Sequence, residues 1–355
     1  NAEDTTFSED LVIIEEEEYN AGKEIIGHII DAYDWHILSY KSSDGHAHHV
    51  SIPLPVILFD EGKLYVFLSN KFHHGHSTYK GFRLETDGEH KGQIVKVGDT
   101  GHGTDQHGES TGDITLPLDL SITKNVAAII ISSIFLCLIF ISVARSYKRR
   151  EGEAPRGLQS FLEPLILFIR DDIAKSSIGE KRYERYMPFL LTIFFFIIFN
   201  NLMGLIPIFP GGANVTGNIA VTGVMALFTF LITTLSGNRA YWQHIFNPPD
   251  VPWWLKFPIP LIPIIELLGA FTKPFVLMVR LFANITAGHI IILGFISLIF
   301  IFGNINMALG YGVSIVSVLF SVFMSLLELL VAFIQAYVFT LLSALYFGMA
   351  TEEHH

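Results

Sequence analysis

From Asn125 onward the chain repeats runs of about twenty apolar residues, and no other feature limits its fold as strongly. A helix of that length spans the roughly 30 Å hydrocarbon core of a bilayer, and a single soluble globule has no interior for several of them. The runs cover 126–143, 189–206 and 219–235, then two of near 40 residues, 260–302 and 307–347. They predict an all-α polytopic membrane protein of about five membrane helices. At 1.5 Å per residue, each of the last two would measure about 60 Å, so they must lie strongly tilted or bend in the membrane.

Charge divides the chain in the same place. Charged residues make up 16% of the sequence, against about 25% in globular proteins. The first 123 residues nevertheless hold 22 Asp and Glu and 8 Lys and Arg, while the remainder holds 12 acidic and 15 basic groups clustered between the apolar runs. Residues 1–122 therefore read as a small, acidic, water-facing α+β domain with a linker, and 123–355 as the membrane domain. Within the first, Glu24 to Leu38 has helical spacing of apolar groups. Ser51 to Phe59 and Leu64 to Leu68 read as strands joined by the turn Asp60-Glu61-Gly62-Lys63. The stretch Gly98 to Gly112 reads as linker. No basic stripe with interleaved aromatics points to nucleic acid, and a single cysteine, Cys137, excludes disulfides and cysteine metal sites.

Arg145, Lys148, Arg149 and Arg150 follow the first apolar run at once, and ten Lys and Arg lie between the first and second runs. The outer turn Pro207 to Gly217 has none. By the positive-inside rule the acidic domain is outside and the C-terminus cytoplasmic. An exported domain implies a signal; the first residue is Asn, as expected of a mature chain and equally of a truncated one. The apolar but short segment 158–173, interrupted by Pro164 and flanked by charges, reads as an interfacial helix. Residues 237–258, with three tryptophans, read as an interface anchor.

Ionisable groups inside a membrane cost from about 3 to more than 10 kcal/mol each, so those present mark function. Glu266, Lys273 and Arg280 recur at intervals of seven, with Asn284 one turn further, on one face of a helix. Lys273, beside Pro274, suits pairing or snorkelling. Arg280 is deep in apolar sequence and cannot shed its proton. His289, nine residues beyond, falls on the opposite side of that helix. On the last run Ser314, Ser321, Glu328 and Gln335 are spaced by seven, with Ser317 and Ser325 one turn away. This makes a polar stripe of about 30 Å. Serines alone would suit close helix packing; a carboxylate does not, so the stripe reads as the wall of a hydrated path. A carboxylic acid and an imidazole on adjacent helices are a pair able to share a proton.

At these residues the sequence resembles subunit a of the F-type ATP synthases. The stretch from Lys273 through Arg280-Leu-Phe-Ala-Asn284 to Gly288-His289 carries most of the likeness. Asn200-Asn201-Leu-Met-Gly-Leu-Ile-Pro207, Gln335-Ala-Tyr-Val-Phe and Met349-Ala-Thr-Glu-Glu-His354 add to it, in matching order over roughly residues 124–355. The resemblance implies a proton-translocating stator subunit in a bacterial inner membrane, with a ring of c subunits, the peripheral-stalk subunit b and the rest of the synthase as partners. Arg280 would face the c-ring. Asn284, His289, Glu328 and Gln335 would line the half-channels and the contact with the ring, beside Ser321 and Ser325 of the stripe, and Glu266 would stand at the cytoplasmic exit. Many bacterial members carry Glu at the position of His289 and His at that of Glu328. The exchange keeps both groups and implies that they are neighbours. The family's ion is expected to be H⁺ rather than Na⁺, given an imidazole and a carboxyl in the path.

A stand-alone secondary transporter is the competing reading, but it would show repeated halves around a midplane site, and none is visible. A non-conducting scaffold is opposed by Arg280 and Glu328. No G-x-x-x-x-G-K-[ST] motif occurs, so nucleotide chemistry is expected on partner chains, and no cofactor or resident metal is expected. Eleven of fifteen histidines lie in the first domain, including His46, His48, His49, His73, His74 and His76. Metal binding there is the sharper reading; solvated loops or a proton-buffering surface are the plainer ones. Asn214-Val-Thr216 matches a glycosylation pattern but reads as turn chemistry.

Overall fold

The computed structural model describes residues 31–41, 47–75, 77–86, 90–97, 114–206, 209–246 and 261–352, together with Gly22 and Gly88. The N-terminal unit is built of short antiparallel strands. β1 (Asp34–Lys41) pairs with β2 (Ala47–Pro53). β3 (Pro55–Asp60) lies between β4 (Lys63–Leu68) and the two-residue β8 (Leu118–Asp119), and β6 (Ile94–Val97) lies between β5 (Phe82–Leu84) and β7 (Ile114–Thr115). The expected hairpin is present as β3–β4. Glu61 and Gly62 close it, both with positive φ, as a two-residue turn matched to strand twist requires. Val56, Leu58, Phe72, Phe82 and Ile94 form the core of this unit.

Two expectations fail here. The helix read over Glu24 to Leu38 is irregular at 31–33 and a strand from Asp34 on; residues 24–30 lie outside the described residues. The ladder to β2 supplies long-range bonds that override the local spacing. Ile37 is the extra residue of a bulge between His36 and Leu38 and points outward, while Trp35 is buried. The strand read over Ser51 to Phe59 is two strands, because Pro53 and Pro55 flank Leu54. Leu54 instead exchanges bonds with Ser69, whose N–H donates to its carbonyl and whose hydroxyl accepts from its N–H. The stretch read as linker lies outside the described residues.

Among the described residues, seven helical segments follow. α1 spans Lys124–Arg149. α2 (Leu158–Phe168) runs on through a π-helical turn, Ile169–Lys175, to Ile178. Its outer side shows Leu158 and Phe161, and its inner side buries Leu162, Ile169, Ile173 and Ala174. α3 is Tyr183–Leu205, α4 Ile219–Ser236 and α5 Arg239–Phe246. α6 (Leu261–Ile305) and α7 (Met307–Thr351) are 45 residues each. Five of the seven, α1, α3, α4, α6 and α7, are long and apolar enough to cross a membrane.

α3 buries Tyr186, Leu190, Ile193, Phe194, Ile197, Asn200 and Asn201, one face at helical spacing. In lipid, apolar burial alone contributes little, so close packing of small groups matters. α7 supplies Ala332, Ala336, Ser343, Ala344 and Ala350, all buried. Thr340 and Ser343 return their hydroxyls to carbonyls four residues back, at 2.8 Å each. The expected turn from Gly303 to Asn306 is tighter than the sequence implies, since Asn306 alone separates α6 from α7. Its Oδ1 accepts from Ala308 N at 2.9 Å, an N-cap that lets the new helix begin at once. A Cβ on Gly310 would stand 2.8 Å from Gly303 Cα, so the helices meet backbone to backbone beside the turn.

Candidate functional site

α6 and α7 run antiparallel in a steady register. Phe295 stacks on Phe320 and Lys273 lies over the ring of Tyr346. Between those contacts, His289 Nδ1 stands 2.6 Å from Glu328 Oε1. The same nitrogen lies 3.1 Å from the Ile285 carbonyl oxygen. Nδ1 holds at most one hydrogen: when present it is directed to the Ile285 oxygen, and when absent the bare nitrogen can accept from a protonated Glu328. One proton thus has two stations across the helix pair.

The pair is enclosed. The Glu328 side chain is 4% exposed and that of His289 20%, and neither carboxyl oxygen of Glu328 accepts an aligned hydrogen bond among the described residues. Gly288 makes the space: a Cβ there would stand 3.0 Å from the Glu328 carboxyl carbon. Gly204 of α3 lies against the imidazole on another side, and a Cβ there would be 3.9 Å from Cε1 and Nε2.

The connection between α3 and α4 reaches this enclosure through uncharged polar groups. Thr216 Oγ1 donates to Asn201 Oδ1 at 2.5 Å, and Asn201 Nδ2 donates to the Ala332 carbonyl of α7 at 3.4 Å. Thr286 of α6 donates to the Gly217 carbonyl at 3.5 Å. Asn214 accepts from Gly217 N at 3.0 Å, the turn chemistry expected of it. Asn200 Oδ1, Asn214 Nδ2 and Ser321 Oγ are buried without protein partners among the described residues. Such atoms are the sites that water occupies in a polar interior.

Arg280 is exposed on the far side of α6 from His289, as nine residues at 100° each require, and Asn284 is exposed one turn on. Arg280 forms no ion pair among the described residues. Between Lys273 by Tyr346 and Gly288 by Glu328, it falls level with Tyr337 and Val338 of α7, within a turn of the buried Gln335. Of the serines, Ser317 is buried and Ser321 partly so, but Ser325 is exposed and donates to the Ser321 carbonyl at 2.8 Å. Ser325 is therefore set apart from the pair. Glu266 is distant from it too, its Oε2 4.0 Å from Nδ1 of His244 on α5.

Sequence reasoning named Thr216 only in a turn motif and Gly288 only within the family stretch, giving neither a role at the site, and it did not find the cavity lined by Thr229, Thr233, Tyr241, Lys273 and Tyr346. Thr229 and Thr233, four apart on α4, were a signal for the last. Among the described residues no three His, Cys, Asp or Glu converge as for a metal; His46 and His76 lie outside them.

The family model described as ATP synthase A chain matches residues 126–348. The chain belongs to this family. A relative described as ATP synthase subunit a from Chloroherpeton thalassium is 47% identical over 66% of this chain and 69% of its own. ATP synthase subunit a 2 of Chlorobaculum tepidum is 45% identical over 68% of each. The subunit a of Chlorobium phaeobacteroides is 40% identical over 76% of this chain and 83% of its own, a reach beyond the family span. A second model, of a domain of unknown function, matches residues 24–120. The family is that of a multi-pass subunit in the proton-translocating membrane sector of ATP synthase, which is not itself the catalytic subunit, and a stand-alone transporter is not favoured.

Proposed function

We propose that this chain forms two half-channels against a ring of c subunits in a bacterial inner membrane, with its N-terminal unit outside and its C-terminus cytoplasmic. Subunit b of the peripheral stalk and the remaining synthase chains hold it as stator, and nucleotide chemistry resides on those partners. Protons arrive from outside past the His289–Glu328 pair, with Ser321 and the Asn201 cluster beside it, and protonate a carboxylate on the ring. The neutral acid then faces lipid at low cost, and the ring turns.

On its return, Arg280 favours the charged form of that carboxylate and releases the proton toward Glu266. Asn284 and Gln335 flank Arg280, and its fixed charge opposes a direct leak between half-channels. At about 2.3 kcal/mol per charge per 100 mV, several protons drive each ATP. The 2.6 Å His289–Glu328 contact on one side of α6, with Arg280 exposed on the other, carries this reading.

Replacement of Arg280 by Ala in the assembled synthase tests it. Proton-driven ATP synthesis is expected to vanish while passive proton leak through the membrane sector persists; synthesis retained at wild-type rate would reject the assignment.

A further inference from the structure

The N-terminal unit lies before the family span, yet it grips the turn that closes the proton site. Trp35 is 3% exposed and packs in one cluster with Ala213 and Val215 of the outer turn and Ala127 and Ala128 of α1. Its ring meets that of Phe209 edge-on at 5.1 Å. Beside it, the Asp31 carboxylate accepts from Thr123 Oγ1 at 2.7 Å and from Asn125 N at 3.0 Å. An acid at a helix N-terminus is favoured there by the unpaired N–H groups and the dipole, so the unit is pinned to the start of α1. From Trp35 the contacts lead inward by two steps. A Cβ on Gly204 would stand 3.3 Å from the Ala213 carbonyl oxygen, and Gly204 lies against the His289 imidazole.

We infer that Trp35 is a positioning residue for proton uptake: by clamping Ala213, it fixes the wall against which His289 is held toward Glu328. The inference rests on the proposed role of that pair. Packed interiors transmit small displacements because their parts have few alternative arrangements. A loosened turn therefore alters the His289–Glu328 distance and the ease with which the pair exchanges its proton. Glu328 is the titratable group facing His289 from α7, and α3 brings it the uncharged Gly204, against which Ala213 of the outer turn also lies. Lys124 feels the charges of Asp31 and Asp34 at the start of α1.

The test uses whole synthase in liposomes, with proton-driven ATP synthesis measured while pH is varied only on the side of the N-terminal unit. Trp35→Ala is expected to move the midpoint of that profile by about half a unit or more, with Trp35→Phe returning it toward wild type. Should Trp35→Ala fail to assemble, Trp35→Leu reads the same shift. Val95→Ala, a cavity in β6 at a fully buried site, is expected to leave the profile unmoved. An unmoved profile in Trp35→Ala or Trp35→Leu, or an equal shift in Val95→Ala, would overturn the inference. Glu328→Gln separates the two readings: if it leaves synthesis intact, the role of the pair falls and the clamp with it. If Glu328→Gln abolishes synthesis while the Trp35 variants keep the wild-type profile, only the clamp falls.

Discussion

Gly288 and Glu328 compete for one volume, the carboxyl group of Glu328 occupying the space that a Cβ on Gly288 would need. The small residue is thus part of the site although it carries no chemistry. Gly288→Ala overpacks it by about 1–3 kcal/mol and tilts Glu328 from His289. Vesicles holding normal amounts of this variant are expected to lose most proton-driven ATP synthesis; undiminished synthesis would mean that the contact is dispensable.

A swap of the two groups across the helices tests the pair itself. His289→Glu places two carboxyls in one enclosure and Glu328→His two imidazoles, so each single variant is expected to lose synthesis. The double variant restores an acid beside an imidazole. A coupling of about 0.5–3 kcal/mol between the positions is expected from the cycle, whereas additive losses would indicate separate roles.

The α6–α7 turn has its own requirement. Gly310→Val drives a side chain into the Gly303 backbone and is expected to prevent stable assembly, read as loss of the subunit from purified membranes. Gly312, which has nothing within 4 Å of its Cβ position, accepts the same change as a control. Equal assembly of both variants contradicts the close approach.

In the N-terminal unit, Tyr33 donates to Asp119 at 2.5 Å. Burial, then that hydrogen bond and the charge of Asp119, raise its pKa well above the usual value. A raised pKa favours the protonated form in the folded unit. Its contribution is whole below the unfolded value near 10 and is lost as pH climbs from there toward the folded value. Protease protection of the unit in the intact chain is expected to fall between about pH 10 and 11. Tyr33→Phe should weaken protection at neutral pH, by about 1–2 kcal/mol, and flatten that alkaline loss. Parallel pH curves for the two proteins would contradict the linkage.

What could be read from sequence follows from how rare polar groups are in lipid. Arg280, His289 and Glu328 stood out because each carries a desolvation cost in an apolar background, and helical phase alone placed Arg280 and His289 on opposite sides. Phase does not separate Ser325 from Glu328, since three residues leave them only about 60° apart; that Ser325 is exposed beside a buried Glu328 comes from the packing around α7. The parts that Thr216 and Gly288 play at the site were not legible. One acts through a bond to Asn201, 15 residues away in the chain, and the other through the side chain it lacks. β1 was misread because strand pairing depends on a partner segment that local spacing does not contain.

The exposure of Arg280 has a consequence for the life of the chain before assembly. A guanidinium on a bare membrane helix costs about 3 to more than 10 kcal/mol in hydrocarbon, and among the described residues nothing of opposite charge meets it. The free subunit is thus poorly matched to the bilayer it is inserted into, and the mismatch ends only when another chain brings a counter-charge to α6. On the role proposed for Arg280, completion of the complex is favoured by the side chain that would then act in it, and an orphaned copy is marked by its own unmet charge.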